Sequence, residues 1–484
     1  MSIKQQAVSG IAWSAVERFS AQGIQFVLTI IIARVLLPED YGLVAMLGIF
    51  MALAQTLTDS GFSSALIQKK NRTEVDYSTV FYFNIIISIF IYFLFFISAP
   101  WIAEFYHQPQ LVSIVRVLGI SLIINSFSVV QVARLTVSLN FKRLTMVSLS
   151  SVLSGGIVGI WMAYNGFGVW TLVFQGLVSN ICWVICLWLV VRWRPLWTFS
   201  WHSFRSLFSF GFKLMLSGLL HTFYVNMYSL VVGKAFSASI LGFFNRAYTL
   251  GQFPTQNFAY VIQKVLFPIQ CQYQDEEERF NSIFTQNIRF SCFLIFPVMI
   301  GFAVLANPLV ELLLTDKWLP AAPLLQIVCI AQMWDPIMRI NALVLNSKGR
   351  SDYQLLAEVL KKIVAFAIMF LALPFGVEAV CIGLIVYAFV DMVIIIGFSR
   401  KVTKLGYIRQ IKLVLPMALL AFAMGGVVMG VSLGFDTARG KLLSGIFSGA
   451  IFYSISAYCL KFPEIFTIYS YLKNVRIRRK YDKR

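Results

Sequence analysis

The chain has 484 residues, 59% hydrophobic and only 13% charged, with a formal net charge of +19. A soluble domain carries about 25% charged residues, so a water-soluble enzyme or nucleic-acid-binding domain is excluded. An all-α polytopic membrane protein is expected instead. No isolated apolar run with a small-residue cleavage site opens the chain, so no cleaved signal peptide is expected. The seven cysteines fall mostly inside apolar stretches. Cys182 and Cys186 are one helical turn apart without a His or acid beside them, so packing is expected and neither a metal site nor a cofactor.

A membrane span needs about 20 mostly apolar residues. In chain order, fourteen are expected: 12–36, 42–67, 78–99, 111–137, 144–164, 168–191, 207–233, 245–268, 283–306, 321–346, 353–373, 377–399, 413–433 and 442–460. The tight connections at 164–168 and 374–378 contain Asn165, Gly166 and Pro374, which supply turn chemistry. Lys and Arg set the orientation. With the N-terminus in the cytoplasm, and with Lys361 and Lys362 counted with the inside and Arg246 with the outside, 27 of the 40 bases fall inside and five outside, namely Lys234, Arg246, Lys317, Arg439 and Lys441. Both termini are therefore expected in the cytoplasm. The basic tail, 461–484, is expected to anchor topology and touch anionic lipid, which explains the positive charge without nucleic acid.

Two spans repeat one polar pattern. The first reads Ser14, Arg18, Gln22, Gln25, Thr29; the seventh reads Lys213, Ser217, His221, Tyr224, Tyr228. Both sets follow the i, i+4, i+8, i+11, i+15 spacing of one helix face. Each is followed by a base and then a glycine, Arg34 and Gly42 in one case, Lys234 and Gly242 in the other. The expected architecture is two pseudo-symmetric six-helix lobes, 1–191 and 207–400. A tryptophan-rich interfacial linker, 192–206, joins them, and an extra helix pair at 401–460 precedes the tail. A cationic stripe is expensive against lipid, so it is expected to line something wet where the repeats face each other.

Three stretches carry a resemblance. Residues 34–46 (RVLLPEDYGLVAM), 59–70 (DSGFSSALIQKK, followed by Thr79, Val80 and Phe81) and 267–280 (FPIQCQYQDEEERF) are similar to the signature of bacterial Wzx-type polysaccharide flippases. They look most like the branch typified by the colanic acid flippase, within the multidrug/oligosaccharidyl-lipid/polysaccharide exporter superfamily. The resemblance covers roughly residues 1–400. It implies a bacterial inner-membrane protein, not an enzyme, that translocates an undecaprenyl-pyrophosphate-linked oligosaccharide through two alternately opening lobes. It implies as partners the lipid-linked oligosaccharide, membrane lipid, and a polysaccharide polymerase with its chain-length regulator.

Arg18 and Lys213 are the expected phosphate contacts, because a guanidinium can offer a pyrophosphate two parallel hydrogen bonds. Pairing of Arg18 with Glu17 and snorkelling of Lys213 are the plain alternatives. Gln22, Gln25, His221 and Tyr224 complete the expected substrate-binding set, with packing as the competing reading for the aromatic residues. Lys264, Arg289 and Arg134, at inside span ends, are expected to snorkel; Arg34 and Arg116 are expected to be interfacial. Asp335 with Arg339, and Glu358 with Lys362, are expected i, i+4 pairs. Asp59, Asp335 and Asp391 are the candidates for ion coupling, with Asp59 and Asp391 lacking a partner on their own helices.

Two rivals are weighed. An ion-coupled multidrug exporter of the same superfamily takes cations, which Arg18 and Lys213 disfavour. A membrane oligosaccharide polymerase or ligase needs a large outer catalytic loop, and the longest outer loop, 307–320, is short. No Walker-type glycine loop is present, so ATP hydrolysis is not expected.

Overall fold

A computed structural model describes residues 3–466 except Ser60, Lys70 and Leu139. The side chains of 3–18, 209, 210, 213, 261–265 and 268 lie outside the described set. Among the described residues the protein is all helix, with no strand.

The chain divides into two compact units, Met1–Gly242 and Phe243–Arg484. The first contains α1 (Ile3–Val35), α2 (Pro38–Asp59), α3 (Phe62–Gln68), α4 (Glu74–Tyr106), α5 (Leu111–Ser126), α6 (Val129–Val137), α7 (Phe141–Tyr164), α8 (Trp170–Val191), α9 (Trp201–Ala235) and the start of α10 (Ala238–Gln272). The second contains the rest of α10, then α11 (Glu277–Val304), α12 (Ala306–Leu314), α13 (Ala321–Gln332), α14 (Asp335–Ser347), α15 (Ser351–Ala372), α16 (Val377–Ser399), α17 (Tyr407–Ser432) and α18 (Ala438–Cys459).

Every expected span coincides with a helix or a consecutive helix pair. Ten are long and apolar enough to cross a membrane, and α5 with α6, bent by 41°, makes an eleventh. The other three expected spans are α1, α10 and α15. The apolar part of α1 among the described side chains is only Phe19–Val35. Polar residues interrupt α10 at Asn245, Arg246, Gln252 and Gln256, and α15 at Glu358, Lys361 and Lys362.

Local chemistry explains the helix ends. Pro38 opens α2 with Glu39 and Asp40 in its first turn, favourable against the positive helix terminus. Thr73 and Asp76 form a capping box that starts α4. At the other end of α4 the Lys234 ammonium donates to the Phe105 carbonyl, placing a cation at a helix C-terminus.

Within the first unit α1 packs on α7, α7 on α8, and α9 on α2. Leu28 and Ile32 of α1 fill the hollows over Gly156 and Gly159 of α7. Where lipid removes the hydrophobic drive between helices, such small residues let backbones close. The tightest approaches involve the two echoed glycines. A Cβ on Gly42 would overlap the Ala238 carbonyl, and one on Gly242 would overlap the Pro38 carbonyl. The contact is reciprocal: each glycine receives the first residue of the other's helix. A second crossing puts Gly61 against the Gly211 backbone.

The expected lobe boundary at 206 follows the repeat, whereas packing places α9 with the first unit because these crossings hold it on α2. The linker 192–200 is strapped to α4. The Leu196 amide donates to Ser78 Oγ at 2.9 Å and the Ser200 amide to Thr79 Oγ1 at 3.1 Å. Trp193 is buried in the core of this unit while Trp197 is 95% exposed. The expected interfacial tryptophan row therefore splits, since Trp193 packs into the core while its Nε1 donates to the exposed Glu74 carboxylate, 2.6 Å away.

In the second unit α17 and α18 pack on α11 and on each other. A buried knot pins α17: Asn341 Nδ2 donates to Gln410 Oε1 at 2.9 Å, and Ser399 Oγ donates to Asn341 Oδ1 at 2.5 Å. Tyr453 of α18 donates to the Phe293 carbonyl at 2.9 Å.

Replacing Gly42 by Val forces a branched side chain into the Ala238 backbone. It should lower stability by about 1–3 kcal/mol, read as a fall in the thermal midpoint of the purified protein. Gly176, which has nothing within 4 Å of its would-be Cβ, should accept Ala with no loss.

Candidate functional site

The polar faces of α1 and α9 lie beside, not within, the packed faces of their helices. Gly218 and Thr222 of α9 face α2, with the Thr222 and Thr56 hydroxyls 3.2 Å apart. Ser217 and His221 precede them by one position each, about 100° round the helix, and are exposed. Tyr224 and Tyr228 are half-buried. On α1, Gln25 is exposed, and Gln22 and Thr29 are half-buried. Gln22 Oε1 is buried without a hydrogen-bond partner among the described residues. The side chains of Ser14, Arg18, Lys213 and Lys264 lie outside the described set.

Asp59 ends α2 and is half-buried. Its carboxylate accepts from the Ser63 amide in the first turn of α3. The crossing of Gly61 with Gly211 sets this turn against α9 about three turns into that helix, two residues before Lys213. No ion pair among the described residues includes Asp59.

Other charges in the spans have partners, and most were not legible as pairs. Asp335 does pair with Arg339 along α14, as expected. Glu358 pairs with Lys361 at 3.3 Å, one position before the base expected for it. Lys361 also meets Asp391 of α16 at 2.8 Å, so Asp391 gains across helices the partner it lacks on its own. Lys361 is 4% exposed and Asp391 8%.

Arg289 does not snorkel: its guanidinium reaches both oxygens of Glu464, at 2.5 and 3.3 Å, and Glu464 is buried. Arg134 likewise forks onto Glu74, at 2.8 and 2.9 Å, and lies over the Tyr77 ring. Arg116 lies over the Phe96 ring, 4.3 Å from its centroid. Arg246, counted among the outer bases, is buried beside Trp318. Adjacent oppositely charged residues on the sequence would have revealed none of these long-range forks. The one available signal was the unpartnered charge itself.

Removing one member of a buried pair strands the other. Lys361→Met should destabilise by about 3–5 kcal/mol, seen as loss of folded protein from the membrane. Adding Asp391→Leu should restore folded protein. Equal yields of the single and double variants would show that the pair carries no such burden.

Comparison with known proteins places this arrangement. The polysaccharide biosynthesis protein family matches residues 31–323. The teichuronic acid biosynthesis protein TuaB of Bacillus subtilis is 27% identical over 93% of this chain and 95% of its own. The lipopolysaccharide biosynthesis protein WzxC of Escherichia coli is 24% identical over 89% and 90%. Among solved structures, the lipid II flippase MurJ in an inward closed conformation is similar with a TM-score of 0.75, at 14% identity, over 93% of this chain and 99% of that one. An inward-facing multidrug resistance MATE family transporter of the MOP superfamily is similar with a TM-score of 0.62, at 15% identity, over 82% and 98%. The fold is thus that of MOP-superfamily transporters, and the chain belongs to the polysaccharide biosynthesis protein family.

Proposed function

We propose that the protein is a flippase, not an enzyme. It carries an undecaprenyl-pyrophosphate-linked oligosaccharide from the cytoplasmic to the outer leaflet of a bacterial inner membrane, by alternating access. One observation carries the reading: a chain whose relatives serve polysaccharide biosynthesis has the fold of a lipid II flippase over 93% of its length. Fourteen spans, both termini in the cytoplasm, and lobes of six helices at 1–191 and 207–400 belong to this proposal.

The polar faces of α1 and α9 support it. Arg18 and Lys213 fall one turn apart in the repeated pattern, each near the start of its polar stripe, and would meet the pyrophosphate, with Gln22, Gln25, His221 and Tyr224 turned to sugar hydroxyls. A pyrophosphate diester carries about two negative charges, and a bidentate guanidinium suits it better than an ammonium does. The exporter reading draws on the likeness to the multidrug transporter, but a cavity holding Arg18 and Lys213 repels cations. A polymerase and chain-length regulator are proposed as the downstream partners.

Two tests follow. Reporter fusions after Lys70 and Leu405 should behave as cytoplasmic, and fusions after Gln108 and Asp316 as external; an external signal after Leu405 refutes the orientation. Arg18→Ala and Lys213→Ala should each impair flipping by roughly tenfold or more, about the worth of one charged hydrogen bond. Arg18→Lys should keep part of the activity. Full surface polysaccharide in the double alanine variant, at normal protein level, refutes the anionic site.

A further inference from the structure

The second unit contains a cleft of about 1050 Å³ at the end where the segments after α10, α16 and α18 come together. One wall is a single face of α11, carrying Asn281, Thr285 and Arg289 at successive turns. Lys404, Arg409 and Glu464 form the facing wall.

Four of the six charges lining this cleft are paired with one another. Arg289 forks onto Glu464, and Lys404 meets Glu277 at 3.3 Å. Arg409 donates to the Lys404 carbonyl at 3.2 Å, and Glu278 adds a further acid to the wall. A phosphate would have to break the two pairs and approach three carboxylates, so the cleft is poorly suited to an anion.

What remains open is neutral hydrogen-bonding capacity. Asn281 Oδ1 and Asn287 Nδ2 are buried, one acceptor and one donor, each without a partner among the described residues. Both side chains line the cleft, with Gln286 exposed beside them. A buried polar atom left unpaired costs about 1–3 kcal/mol; these two atoms are closed off as the cleft stands, so a ligand would engage the amides by turning them toward the cleft, with no internal hydrogen bond to break. Phe290, 37% exposed, adds an apolar ring face to the same wall. Hydroxyls spaced along a short oligosaccharide and the C–H face of a sugar ring fit this combination, the two amides being about 9 Å apart along the helix. The volume lies just above the range for small-ligand sites, about 300–1,000 Å³, which accommodates more than one sugar ring.

We propose that this cleft is a glycan-recognition site that reads the uncharged sugars of the transported lipid, apart from its pyrophosphate. The proposal rests on the flippase reading for the identity of the glycan. Asn281 and Asn287 bind hydroxyls, Gln286 contributes at the rim, and the Arg289–Glu464 fork holds the facing wall in place. Specificity for the repeat unit would then lie partly in the second unit, on residues other than those of the cationic stripe.

The test uses the full chain in lipid nanodiscs. The probe is the soluble oligosaccharide released by mild acid from the lipid-linked repeat that accumulates in cells lacking the protein. Saturation-transfer NMR should detect binding of its ring protons, unaffected by excess inorganic pyrophosphate. Asn287→Leu and the rim variant Gln286→Ala should each weaken binding about tenfold, roughly one hydrogen bond's worth, with Gln286→Ala keeping the wild-type melting temperature. No binding to the wild type, or equal binding by Gln286→Ala and Asn287→Leu at native stability, overturns the site. Competition by pyrophosphate overturns it too. Flipping of the intact lipid-linked repeat in proteoliposomes separates the two claims. Wild-type flipping that both variants leave unchanged refutes the cleft and preserves the flippase; sugar binding lost in the variants, with no wild-type flipping, preserves the site and refutes the flippase.

Discussion

The reciprocal contact of Gly42 with Ala238 and Gly242 with Pro38 is the constraint on which the first unit depends. Two helices begin here with their backbones in mutual contact, and neither glycine can carry even a methyl group without moving the other helix. The constraint propagates upstream. Arg34 and Lys234 end α1 and α9 just before the contact, so fixing the starts of α2 and α10 fixes where α1 and α9 stop. Lys234 then reaches across to cap α4. In lipid, where apolar surface gains nothing by leaving its solvent, close packing of this kind and buried hydrogen bonds must supply the specificity. The crossing of Gly61 with Gly211 repeats the device at the other end of α2, and between the two the hydroxyls of Thr56 and Thr222 meet.

Electrostatics supplies the complementary rule. A lone charge at membrane depth is expensive, and the fold answers most such charges with a neighbour. The neighbours are far away in sequence: Glu464 lies 175 residues from Arg289, and Glu74 lies 60 from Arg134. Each fork therefore fixes tertiary structure as well as charge. The Arg289–Glu464 pair ties the segment after α18 to α11, while Glu74 gathers Arg134 and Trp193 and so joins α4, α6 and the linker. Replacement of such pairs by apolar groups is often tolerated energetically, so their value here is in register more than in stability.

The limits of the sequence follow from the same physics. Helix positions were legible because apolar length is a local property, and each expected span found its helix. The echo of Gly42 and Gly242 was visible as a pattern, but not that each glycine receives the other's helix start, since only packing reveals which backbones approach. Asp335 with Arg339 was legible because i, i+4 neighbours share a face. Asp391 with Lys361 was not, because the two residues sit on different helices and their meeting depends on how α15 packs on α16. The buried knot of Asn341, Ser399 and Gln410 escaped for the same reason: three unremarkable polar residues in three helices acquire meaning only once they touch.

Pairing also sorts the carboxylates by what they can do. A ligand or proton shifts a conformational equilibrium only if its affinity differs between the states. Asp335 and Asp391 already hold a base, so a cation arriving at either must first displace an internal ammonium or guanidinium. Asp59 is different in kind. Its carboxylate holds the first turn of α3 through the Ser63 amide, immediately beside the place where Gly61 meets Gly211. Neutralising it removes charge from a hydrogen bond beside a helix crossing, and that crossing lies on the turn of α9 just before Lys213. A carboxylate can bias a transporter without a dedicated ion cage if its protonation loosens a contact that only one conformation makes. Among the described ion pairs Asp335 and Asp391 each have a base and Asp59 has none, so protonation of Asp59 would act on the hydrogen bond beside this crossing and not on an internal pair.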